Sequence, residues 1–204
     1  MLFASLARTY SGDPAGGRTL AAENLTVARA AGNPSQSAWA LYSEAEALAG
    51  DAPDRALTRY HEAIARAAPV ASVFVTNVAH VGLAALHTRA GAIPAALAEF
   101  RAAVRGWRRM QVWHHQWTTL RNLLLLLAGI DAEAATILSG ALNTHAANGF
   151  GADAAAEADT VDTLRADLGD ARYAVARAHG ATLSPEATVT FALEVLDRNI
   201  EVEH

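Results

Sequence analysis

The chain has 204 residues, among them 50 alanines, 16 arginines, 21 acidic residues and 8 histidines, with neither lysine nor cysteine, for a formal net charge of −5. Without lysine there is no P-loop of the GK[ST] kind, no Schiff-base chemistry and no Ser-x-x-Lys acylation centre; without cysteine there is no disulfide, thiol nucleophile or cysteine-ligated zinc. A pI near 5.9 argues against direct nucleic-acid contact, which calls for a basic face.

Taken in order, Met1 to Arg8 lacks the basic start and long apolar stretch of an export signal, so a cytoplasmic location is expected. Residues 1 to 11 have room for one short helix ahead of a longer one, Ala15 to Ala31, which stops at Gly32-Asn33-Pro34. Three helix pairs should follow. Their first members are Gln36 to Ala49, Ser72 to Ala90 and about Gln111 to Ala128, ending in stop signals at Gly50-Asp51-Ala52-Pro53, Gly91-Ala92-Ile93-Pro94 and Gly129-Ile130-Asp131. The longest apolar run, Leu123 to Ile130, is eight residues against the roughly 20 that a bilayer requires, so no membrane contact is expected.

The second members repeat. Arg55 to Ile64 aligns with Ala95 to Val104 at an offset of 40, and with Glu133 to Leu142 a further 38 residues on. A small residue, a bulky one four later and an alanine three after that fall on one helical face: Ala56/Tyr60/Ala63, Ala96/Phe100/Ala103 and Ala134/Leu138/Ala141. Small residues at fixed points let a neighbouring helix approach, and the bulky one fills the space between layers. That pattern is the second-helix half of a tetratricopeptide-like unit, and Trp39-x-x-Tyr42 and Trp117-x-x-Leu120 resemble the opening of its first half.

Beyond Leu142, residues 143–151 read as a loop, and residues 152–204 as three capping helices at Ala152 to Leu168, Gly169 to Ala178 and Ser184 to Arg198. The last opens on a serine N-cap followed by proline. The expected fold is all-α: a superhelix of tetratricopeptide-like αα-hairpins over residues 1–142, its first repeat truncated, with a C-terminal helical cap.

Trp107-Arg108-Arg109, the run Gln116 to Leu123, Ala134-Ala135 and the closing Leu183 to Ala187 resemble the C-terminal helical-repeat region of actinobacterial LuxR-type and MalT-like signalling ATPases, including their cyclase-fused relatives. The resemblance covers roughly residues 13 to 198 and implies a regulatory array beside a nucleotide-binding module. This chain carries no Walker motif, cyclase segment or terminal helix-turn-helix, so ATP hydrolysis and DNA binding do not carry over.

Several constellations remain. Gly149-Phe150-Gly151-Ala152-Asp153-Ala154 satisfies G-x-G-x-x-G/A but follows a helix and a polar loop rather than the strand a dinucleotide site needs. His114 and His115 point about 100° apart on a helix and cannot share one ion, and His80 should pack between helices with its polar tip satisfied. Arg101, Arg105, Arg108 and Arg109 form a basic stripe, read either as a solvated face or as a dock for an acidic partner. The acidic set Glu157, Asp159, Asp162, Asp167 and Asp170 reads as a solvated face. No nucleophile–base pair, paired carboxylates or G-x-S-x-G elbow is present, and neither catalysis nor a cofactor or metal is expected.

The densest cluster joins Trp107, Trp113 and Trp117 to Arg108, Arg109 and Arg121, with His114 between them. Trp113, Trp117, Leu120 and Leu124 share a face that suits core packing, whereas an aromatic and arginine wall suits a protein or peptide partner in a concave groove. The expected function is therefore a non-catalytic regulatory domain for protein interaction or effector sensing. The alternatives are a small-molecule sensor with an apolar pocket near Trp113 and Trp117, and a module that forms homodimers through its N-terminal edge.

Overall fold

In the computed structural model, residues 2–145 and 152–202 are described, with side chains at 3–145 and 159–201. Among them there is no strand. The helices are α1 (Leu2–Tyr10), α2 (Pro14–Ala30), α3 (Pro34–Leu48), α4 (Pro53–Ala67), α5 (Val73–Arg89), α6 (Ile93–Met110), α7 (Trp113–Ala128), α8 (Ala132–His145), α9 (Ala152–Leu168), α10 (Asp170–Ala181) and α11 (Pro185–Val202). A short 3₁₀ turn, Ala68–Val70, follows α4. The all-α expectation holds, and the short helix foreseen before Ala15 is α1.

Local chemistry sets the helix limits. Proline at the first turn opens α2, α3 and α4, where its fixed φ suits a helix and its missing N–H costs nothing. Asp13 and Asn33 accept the amides of Gly16 (2.8 Å) and Gln36 (3.0 Å), Asp131 that of Ala134 (3.0 Å), and Ser184 that of Ala187 (3.1 Å). The serine cap at α11 is thus the one read from sequence. Gly32-Asn33-Pro34 both stops α2 and starts α3, two residues before the expected Gln36. At the other end, α8 continues through Asn143 and Thr144 to His145, residues expected to be loop. Asn143 and Thr144 are exposed, so no apolar period in the sequence reports this last turn.

The chain divides into two compact units, residues 1–99 and 100–204. In the first, each helix packs on the next, and α3 also meets α1 and α5. Leu25, Leu41, Leu48, Tyr60 and Leu83 fill its core among Ala38, Ala45, Ala56, Ala63 and Ala79. Trp39 is the hub of its aromatic side, stacked on Phe74 at 5.8 Å and edge-on to Phe3 and Tyr42 at 5.9 and 5.8 Å. Gly82 of α5 lies against the Tyr60 ring, where a Cβ would collide.

In the second unit α8 is central, touching α7, α9, α10 and α11. Phe100, Val104, Trp107, Leu120, Leu123, Leu124, Leu127 and Leu138 are all fully buried there. All nine residues of the repeated small–bulky–small series are buried, none more than 3% exposed, so the sequence periodicity marks the inward faces of α4, α6 and α8.

Candidate functional site

The α6–α7 turn departs from its neighbours. Four other turns use a glycine with positive φ, at Gly12, Gly32, Gly91 and Gly169, but here Gln111 takes φ +56°, a conformation that strains a residue bearing a Cβ. With Gln111 left-handed, α7 starts at Trp113, two residues later than periodicity suggests, and Val112 caps it without a side-chain hydrogen bond.

This turn, the end of α6 and the start of α11 enclose a pocket of about 210 Å³. Trp107, Val112 and Val189 supply apolar wall, Trp113 and Gln116 line it from α7, and Arg108 and Glu186 stand beside it with opposite charges. Gln116 is 1% exposed, and neither its Nε2 nor its Oε1 meets a hydrogen-bond partner among the described residues. Leaving such a group unmet costs about 1–3 kcal/mol.

The seven partner-binding residues expected from sequence take up different positions. Trp107 is fully buried and donates its indole N–H to Thr119 Oγ1 at 3.0 Å; its ring stacks on His115 at 4.8 Å. It is a core wall of the pocket, not an exposed contact. Arg108 and Arg109 are exposed and Arg121 is half-buried. Trp113 is 38% exposed and stacks on Trp117 at 5.6 Å with an interplanar angle of 28°. Trp117 in turn stacks on His145 at 6.1 Å, whose Nε2–H donates to the Leu183 carbonyl at 2.5 Å. His114 is exposed, edge-on to His115. The stripe read as one face therefore divides, with Leu120 and Leu124 fully buried and the two indoles at the margin. Of the seven, Trp107, Arg108 and Trp113 line the pocket.

Burial pushes the His115 imidazolium pKa below its ordinary value, with a smaller push from neighbouring His114. The basic stripe also divides. Arg101 and Arg105 both bind Asp197 of α11, at 3.3 and 3.0 Å, while Arg108 and Arg109 continue along the exposed end of α6.

Sequence reading missed Gln116. Its signal was a polar residue in step with Leu120, Leu123 and Leu127, an apolar slot filled by an amide. It also missed a carboxyl in the first unit, where Glu46 accepts hydrogen bonds from Tyr60 (2.7 Å) and Tyr10 (2.9 Å), joining α1, α3 and α4. Burial first, and Glu46 second, raise the Tyr42 and Tyr60 phenols well above their ordinary range. His80, as expected, has its tip satisfied, 2.5 Å from Glu99.

Among the described residues no cluster of three or more histidines and carboxylates suits a metal, and no helix is long and apolar enough to cross a membrane. Gly149-Phe150-Gly151 lies outside the described residues. No family model, curated protein or solved structure matches the chain.

Proposed function

We propose that the chain is a non-catalytic regulatory domain that senses an effector, built of tetratricopeptide-like hairpins closed by three C-terminal helices. The observation that carries this reading is the pocket at the start of α7, where the partly open Trp113 ring adjoins an apolar wall and the charged rim of Arg108 and Glu186. Concave sites with mostly apolar walls and a few convergent polar groups are where small ligands bind. The resemblance to LuxR-type and MalT-like repeat regions agrees with such a role, in which occupancy would be passed to a neighbouring module in the cytoplasm.

A thermal-shift screen against metabolites tests it. A stabilising ligand is expected, its effect lost in Trp113→Ala; a screen without any stabilising compound would count against the effector reading. A second reading, capture of a protein or peptide partner, is favoured by the stacked indoles of Trp113 and Trp117 beside exposed Arg109, since Trp and Arg dominate interface hot spots. Crosslinking in cells with Trp117→Ala and Arg109→Ala variants separates the two, because neither residue lines the pocket.

A further inference from the structure

We infer that the pocket takes a small, net-neutral planar ring presenting a hydrogen-bond donor beside an acceptor on one edge, as lactams and nucleobases do, and that Gln116 reads that edge. This rests on the effector reading and adds the chemistry of the ligand.

Gln116 occupies a slot of α7 that continues the buried leucine row, so an apolar residue there would bury its side chain at no polar cost. The glutamine instead buries an amide with both heavy atoms unmet among the described residues. The two atoms ask for different things: Nε2 offers N–H donors and Oε1 accepts. A carboxylate would serve only the nitrogen, and an ammonium only the oxygen. A ring with N–H beside C=O, or beside a ring nitrogen, serves both through two parallel hydrogen bonds, the geometry by which glutamine reads adenine.

The surroundings select the rest of the ligand. Trp113 brings a partly open indole to the pocket, with buried Trp107 as apolar wall behind it, and planar rings stack well on exposed indole faces. Arg108 and Glu186 offset each other in charge, so the rim favours a neutral molecule over an anion or a cation. At about 210 Å³ the space suits a one- or two-ring molecule, below the roughly 300–1,000 Å³ of drug-sized sites.

The test titrates the full chain with adenine, uracil and cyclo(glycyl-glycine), reading tryptophan fluorescence and thermal midpoint, with 1,3-dimethyluracil and benzoate as controls. At least one of the three donor–acceptor rings should bind saturably, while dimethyluracil, which keeps the ring but has methyls in place of its N–H donors, should not. Adenine or uracil alone would identify a nucleobase, and cyclo(glycyl-glycine) alone a peptide lactam. Gln116→Met should weaken binding about tenfold or more and, unlike most core changes, raise the midpoint of the unliganded protein. Binding of dimethyluracil or benzoate as tight as that of the rings, or undiminished binding to a folded Gln116→Met, would overturn the ligand class and leave the effector pocket standing. Silence of the wild-type protein toward the rings, with saturable binding of some other metabolite that Trp113→Ala abolishes, would do the same. Silence toward every compound would overturn both, marking the pocket as a hydrated cavity only.

Discussion

Gly140 of α8 and Gly180 of α10 let their two helices touch backbone to backbone: a Cβ on Gly180 would land on the Ile137 carbonyl, and one on Gly140 on the Arg177 carbonyl. In an exposed helix interior, glycine to alanine stabilises by about 1 kcal/mol. Here the sign should reverse, because neither carbonyl can swing aside as a side chain would. Gly180→Ala and Gly140→Ala are each expected to destabilise by about 1–3 kcal/mol, as read by urea unfolding. The double variant should cost less than the sum, since either change alone already parts the helices.

The Tyr60–Glu46 bond should make the first unit sensitive to alkali. Because burial raises the Tyr42 and Tyr60 pKa values, the folded chain keeps protons that the unfolded chain releases above about pH 10. Stability is therefore whole below that pH and falls as pH rises past it. Tyr60→Phe should flatten that fall while lowering stability near neutrality by about 1.5–3 kcal/mol, the worth of a hydrogen bond to a charged group. Thermal midpoints measured across the alkaline range check both statements.

His115 titrates in the opposite sense. Its pKa is depressed in the fold, so the unfolded chain takes up a proton first as pH falls. The contribution is complete above about pH 6.5 and is lost below it. His115→Gln should remove that acid slope, and His114→Ala should reduce it by taking away the neighbouring charge. Unchanged slopes in both variants, measured between about pH 5 and 8, would refute the assignment.

Gln111 and Ala71 are the non-glycine residues with positive φ among those described. Glycine at either site should relieve backbone strain and stabilise by about 1 kcal/mol. The two differ in consequence: Gln111→Gly also loosens the turn that shapes the pocket, so ligand affinity should fall there while Ala71→Gly leaves it unchanged. Calorimetric titration on both variants reads the difference.

What the sequence disclosed follows from range. The inward faces of α4, α6 and α8 were legible because a residue's own neighbours three and four positions away report burial. Ser184 announced the start of α11 for the same local reason. Trp113 and Trp117 were placed on one face with Leu120 and Leu124, but how deep each lies depends on α6, α8 and α11, which no helical period encodes. Glu46 was invisible as a partner of Tyr10 and Tyr60 because residues 36 and 14 positions apart met only through packing. Gln111 was read as helical because nothing about glutamine marks a left-handed turn.

The buried alanines of the repeated series invert the usual direction of mutational harm. In a leucine-built core, truncation opens a cavity and enlargement is the milder error. Ala56, Ala96 and Ala134 have at most 3% of their surface open and almost nothing to lose by truncation, whereas a single added methylene must displace packed neighbours. Natural variation at these positions should therefore be confined to alanine, glycine and serine, while the bulky partners Tyr60, Phe100 and Leu138 exchange among large residues, a substitution record that deep mutational scanning would display directly.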